Sequence, residues 1–198
     1  MKKLLFRSIL FSTLLPLITA CAGTASTPTV LPEDIDKEEQ AVYSTFFHNT
    51  SETIVILRDT QTGFLSSSSE ELEERMHYIA SGLPAASEET LADFFERNRR
   101  QPGQLSPDMQ LGVAYVLLST DEFSAVMNQP NGWDAFYEKY SPSGYVQLSR
   151  VGFNKTLDQA IVYVSSVPGP MMGSGNYYLM EKKDGQWVIR EQVLAWVS

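Results

Sequence analysis

Two histidines, His48 and His77, are the residues whose type best suits metal or acid–base chemistry. His77 follows Glu73 and Glu74 within one helical turn, a spacing at which an imidazole and a carboxylate can share a metal ion. A solvated histidine on a charged helix gives the same pattern, and that is the expectation for both residues. Neither lies near a G-x-S-x-G elbow, and the sequence contains no such motif. Gly173-Ser174-Gly175 is glycine-rich but lacks the G-x-G-x-x-G frame and the following Lys-Ser or Lys-Thr of a phosphate loop. It reads as a hairpin connection. Met171-Met172 beside it is either an exposed apolar tip that meets a partner or a pair folded back onto the sheet, and the second is expected. Arg150 and Glu181, both in strand-like segments, are read as an outward cross-strand pair rather than a polar site.

Aromatic residues make the other candidate set. Trp133, Phe136, Tyr137 and Tyr140 recur at i, i+3, i+4 and i+7, which puts four rings on one helical face. With Tyr145, Tyr163, Tyr177 and Tyr178 they could wall a ligand cavity between helix and sheet, since tyrosine offers an apolar body and a polar tip. Trp133, Tyr137, Tyr163 and Tyr177 are the candidate pocket residues. Helical spacing of rings is equally the mark of core packing.

The start of the chain bears on location. Lys2, Lys3 and Arg7 precede an apolar run from Ile9 to Ile18, too short to span a bilayer of ~30 Å as a helix. Ile18-Thr19-Ala20-Cys21 resembles the lipobox of bacterial lipoprotein precursors: an aliphatic residue, two small ones, then cysteine. The resemblance implies cleavage after Ala20 and a diacylglyceryl group on Cys21. Several acyl chains make a durable anchor where one is marginal, because each buried methylene adds ~0.8 kcal/mol. The expected location is therefore the bacterial cell envelope, lipid-anchored, with the domain outside the cytoplasm. The lipid on Cys21 is the only cofactor-like group expected, and neither a catalytic residue nor a metal ligand is assigned.

Composition narrows the partners. The chain has 198 residues, 15 basic and 24 acidic, for a formal charge of −9. Removing Lys2, Lys3 and Arg7 with the signal leaves 12 basic residues and a charge of −12. Such a surface disfavours nucleic acid and anionic head groups. Cys21 is the only cysteine, so a domain beginning after it has no disulfide, thiol nucleophile or CxxC pair.

Residues 1–20 thus read as a signal peptide, 21–32 as a flexible tether rich in Ala, Thr, Ser and Pro, and 33–198 as a single α+β domain. A helix is expected from Asp34 to His48, a strand over Thr53–Arg58, and a helix capped by Ser68 and ending near Gly82. Ser87 should cap another helix, with Glu88 and Glu89 early and Arg97, Arg99 and Arg100 late, matching the dipole at both ends. Leu111–Ser119 reads as a buried strand, Thr120 as the cap of a short helix to Met127, and Pro142 as the stop of the aromatic helix. Four strand-like segments follow, Tyr145–Phe153, Gln159–Val167, Asn176–Lys183 and Gln186–Val197, with Asp184-Gly185 as a two-residue hairpin signal. The expected fold is N-terminal helices packed on one face of a curved antiparallel sheet, with a C-terminal four-stranded meander.

Within this last part, Ser149-Arg150-Val151-Gly152-Phe153-Asn154, Ala160-Ile161-Val162-Tyr163-Val164, Tyr178-Leu179-Met180-Glu181-Lys182 and Asp184-Gly185-Gln186-Trp187 resemble a group of uncharacterised bacterial exported proteins and lipoproteins. Members often carry a Cys-Gly-x-x-Cys-Gly loop where this chain has Pro168-Gly169-Pro170-Met171-Met172-Gly173, so no role of that cysteine pair carries over. The resemblance implies no activity. The expected function is a non-enzymatic envelope domain that binds a partner or ligand. The alternatives are a carboxylate-based envelope hydrolase and a cone-shaped domain for small apolar ligands.

Overall fold

The computed structural model describes residues 32–48, 50–62, 69–99, 103–140 and 143–198. The expected signal peptide, Ala20, Cys21, nearly all of the tether, the Ser68 cap, Arg100 and Pro142 lie outside them. The described residues form an α+β fold of five helices and seven strands: α1 Pro32–Ser44, β1 Ile54–Leu57, α2 Ser69–Gly82, α3 Glu88–Asn98, β2 Tyr115–Leu118, α4 Thr120–Met127, α5 Gly132–Lys139, β3 Tyr145–Leu148, β4 Gly152–Phe153, β5 Gln159–Gly169, β6 Met172–Lys183 and β7 Gln186–Val197. None of these helices is long and apolar enough to cross a membrane.

The sheet runs β2-β1-β3-β5-β6-β7, with β4 beside β5. It is mixed, not wholly antiparallel as expected, because β1 pairs in parallel with both β2 and β3. It is not strongly curled. The segment read as one strand over Tyr145–Phe153 is split at Ser149–Val151 into β3 and β4, both antiparallel to β5. From there β5, β6 and β7 form the antiparallel meander.

Helices cover both faces, which corrects the one-face expectation. Alternate residues of a strand point to opposite sides, and here the two sides belong to different clusters. Ala160 and Val162 of β5 pack with Val42, Tyr43 and Phe47 of α1 and its following turn, and with Leu105, Met109 and Leu111 of the segment before β2. Ile161 and Tyr163 pack instead with Ile79 of α2, Leu83 just beyond it, and Phe94 and Phe95 of α3. On β1 and β2, Val55, Leu57 and Leu118 lie under Val126 of α4 and Phe136 of α5.

Local signals explain several boundaries. Pro32 opens α1 where a missing N–H costs nothing, with Glu33 and Asp34 in the first turn. Ser87 caps α3 by accepting from the Thr90 N–H at 3.2 Å. For α4 the cap is Ser119, one residue before the expected Thr120, because Ser119 and Glu122 complete a reciprocal capping box. Asp184 and Gly185 both have positive φ, 52° and 80°, the requirement of a type I′ hairpin. Gly152 lets α3 reach the sheet, since a Cβ there would stand 2.3 Å from the Phe94 backbone.

The edge strand β7 is irregular. Its register with β6 shifts between Gly175 and Asn176 and again between Leu179 and Met180. Tyr78 Oη donates to the Leu194 carbonyl at 2.6 Å, and Glu191 accepts from the Ala85 N–H at 3.2 Å, so α2 and its exit lean on this edge.

Candidate functional site

From β1 the chain passes through α2 and α3 to β2 on one side of it. It returns through α4 and α5 to β3 on the other. The carboxyl ends of β1 and β3 are therefore a topological switch point, where crevices form in sheets with parallel strands. A cavity of about 210 Å³ lies there, lined by Asp36, Glu39 and Tyr43 of α1, Gln104 and Ser106 after α3, and Arg150 after β3.

Glu39 is its buried anion, 6% exposed. Its Oε1 accepts from Arg150 Nε and the Val151 N–H, each at 2.8 Å, and Oε2 faces Arg150 Nη2 at 2.8 Å. Tyr43 Oη has one proton for two acceptors, the Ser149 carbonyl at 2.7 Å and Glu39 Oε1 at 3.1 Å. Burial pushes the Tyr43 phenol well above its usual range, and the Glu39 charge adds to this, so it stays neutral. Burial alone would lower Arg150, but its bonds to Glu39 and the charges of Glu39, Tyr43 and Asp36 outweigh that and raise it. Asn98 at the end of α3 fixes the same segment by donating to the Arg150 carbonyl at 2.9 Å and accepting its N–H at 3.0 Å. Asp36, largely exposed, is 3.8 Å from Arg150 Nη2. The cluster clasps α1 to the β3–β4 break. A carboxylate so fully supplied with donors holds its partners in place.

This grouping was missed in the sequence, although a signal for it existed. Glu39 lies four residues from both Ile35 and Tyr43, inside the apolar stripe of α1. The Arg150–Glu181 pair does not form: Arg150 turns to Glu39, and Glu181 pairs with Arg190 across the β6–β7 hairpin. Strand β5 stands between the β3–β4 segment that carries Arg150 and the β6 strand that carries Glu181, so the two are not cross-strand neighbours.

His48 and His77 are both exposed. His48 Nδ1 lies 2.6 Å from the Thr45 carbonyl and His77 Nε2 3.5 Å from Ser81 Oγ. Among the described residues no three His, Cys, Asp or Glu side chains group as a metal site.

The aromatic candidates fall into two pairs on the same sheet face. Trp133 packs on Tyr137 at 5.5 Å and stacks on Tyr145 at 6.0 Å, with Phe136 fully buried among them. Tyr163 packs on Tyr177 at 5.3 Å under α2 and α3. Their hydroxyls are engaged: Tyr137 donates to the Pro168 carbonyl, Tyr177 to the Thr62 carbonyl, and Tyr163 accepts from Trp196 Nε1 at 2.6 Å.

The β5–β6 turn departs from expectation. Gly173-Ser174-Gly175 lies within β6, and the connection is Pro170-Met171, flanked by the Gly169–Met172 pair. Proline followed by a residue at φ 54° is the pattern of a type II turn, whose second central position normally takes glycine. Met171 is 89% exposed and Met172 54%, so the pair is a tip and does not fold back onto the sheet. No charged residue occurs from Gln159 to Met180 or from Val193 to Ser198. Val197, paired beside Ser174, is also exposed. Comparison of the chain with family models, with curated proteins and with solved structures finds no match.

Proposed function

We propose that this chain is a bacterial lipoprotein, held at a membrane by acyl chains on Cys21, whose α+β domain is a non-enzymatic binding module of the cell envelope. The observation that carries the binding reading is the Met171-Met172 tip. A bulky side chain in the left-handed region costs about 1 kcal/mol, and the fold gains no packing from a residue 89% exposed. Strain of this kind persists where a surface has a use for it. Methionine suits that use, since its flexible, polarisable side chain adapts to an apolar partner. The lipobox-like Ile18-Thr19-Ala20-Cys21 supports the anchor, and the acidic composition supports partners other than nucleic acid. A carboxylate hydrolase would want two converging carboxylates, one of them free to take up a proton. At the switch-point cavity Glu39 is tied to Arg150 and Val151, which favours the binding reading.

Two measurements test the two halves. Intact mass from the membrane fraction should equal residues 21–198 plus an acylated glyceryl group, and the adduct should vanish in Cys21→Ala. An unlipidated species in the soluble fraction overturns the anchor. A photo-reactive benzoylphenylalanine at position 171, in intact envelopes, should give one discrete protein adduct that Met172→Asp abolishes. Labelling of lipid alone, or an adduct indifferent to Met172→Asp, overturns the tip as the binding surface.

A further inference from the structure

Beside the tip lies a second concavity that the sequence does not announce. α1 stops at Ser44, and the chain turns through Phe46 and Phe47 before reaching β1. Among the described residues no helix covers the sheet beyond that stop over Ile54, Val146 and Val164. These three and Phe46 stay half-buried at the margin of the core. They wall a groove of about 300 Å³ that opens near the turn end of the β5–β6 hairpin. A small residue makes the room. Ser166, opposite Val146 in the register, stands where a larger side chain would fill it.

We propose that this groove is a binding site for the apolar part of a small uncharged molecule, a single ring or a short acyl chain. The inference deepens the binding-module reading and rests on it, adding a ligand class at the same end of the sheet. Size is the first argument. An apolar cavity of about 150 Å³ already admits benzene, and ligand pockets begin at about 300 Å³. Charge is the second. Among the described residues no charged one lines the groove, and at its rim the Ser143 hydroxyl is held by the Glu52 carboxylate. That carboxylate repels an anionic head group, and the lining offers a cationic one no buried counter-ion. A neutral molecule with at most hydroxyl or carbonyl groups meets Thr50, Ser143 and Ser166 as its polar neighbours among the described residues. Geometry is the third. Phe46 is braced edge-on against Tyr178 at 4.9 Å and Phe47 is buried, so one wall is rigid before any ligand arrives.

The test uses the full chain in envelope membranes and a diazirine-bearing decyl alcohol as photolabel, with labelled peptides mapped by mass spectrometry. The expected result is saturable labelling of the peptides that carry Phe46, Val146 and Val164, competed by excess n-decanol. Ser166→Phe, a change at an exposed position that fills the groove, should reduce it by about tenfold or more without lowering the melting temperature. Val164→Thr, which keeps the shape and adds a hydroxyl, should reduce it less. Labelling that does not saturate, or that persists in Ser166→Phe, overturns the groove as a site. The adduct from position 171 is read separately. If it survives while groove labelling fails, the ligand class is wrong and the binding surface stands. If both fail, the binding-module reading falls with it.

Discussion

Strand β6 ends in two tight turns of opposite character. At one end Asp184-Gly185 meets its backbone requirement with residues that accept positive φ. Charges there are paired: Lys182 with Glu38 at 2.6 Å, and Glu181 with Arg190. Trp187 Nε1 donates to Glu38 at 2.7 Å, so α1 is tied down at this end. At the other end Pro170-Met171 makes the same kind of connection with a strained, exposed methionine and without a charged residue on either flanking strand segment. α1 follows the same division, since its body carries Asp36, Glu38 and Glu39 and the turn beyond it carries Phe46 and Phe47. One end is built to hold the fold together. The other departs from what the fold needs, and that departure is what supports the proposed binding surface.

The comparison can be broken most forcefully at the charged end. Glu39→Ala leaves the partly buried Arg150 guanidinium and the Val151 N–H without their acceptor, and unfolding in urea should show a loss of about 3 kcal/mol. A loss below about 1 kcal/mol would mean that the clasp is not what holds α1. Changing both partners, Glu39→Leu with Arg150→Met, should recover much of the loss, because the unpaired charge is removed along with the pair.

Alkaline titration gives the next effect. Burial raises the phenols of Tyr43 and Tyr177 above the unfolded value near 10. The folded state therefore keeps protons that the unfolded state releases. Stability is intact below about pH 10 and falls above it, by up to about 1.4 kcal/mol per pH unit for each tyrosine until its own folded pKa is reached. Tyr43→Phe and Tyr177→Phe should each flatten the decline, whereas Met171→Leu should leave it unchanged.

The smallest effect is the most pointed, because it sets the two turns against each other. Gly185→Ala forces a Cβ into φ 80° and should cost about 1 kcal/mol. Met171→Gly relieves φ 54° and should stabilise by about 0.5–1 kcal/mol, even though it removes a large side chain. If Met171→Gly destabilises instead, the tip is part of the framework and the contrast dissolves.

What the sequence revealed and what it hid follow the range of the interactions. The Ser87 cap, the Asp184-Gly185 turn and the ring-bearing face of α5 depend on residues a few positions apart, and each reads correctly. The parallel pairing of β1 with β2 and β3 joins segments separated by most of the helices, so no local pattern announces it. The Glu39–Arg150 clasp spans 111 residues. Arg150 was visible as a candidate but its partner was not, because nearness along β-rich sequence suggested Glu181. At the β5–β6 turn the glycines of Gly173-Ser174-Gly175 drew the turn forward, although Pro170 marks its first central position.

The two register shifts in β7 carry a consequence for crowding. A flat outer strand of 12 residues with unpaired backbone groups would template the same strand of a neighbouring copy wherever copies are concentrated. The shifts twist that rim, and the Tyr78 phenol occupies the Leu194 carbonyl. An incoming strand therefore finds no long straight ladder to extend, and copies can gather at high density without zipping into fibres.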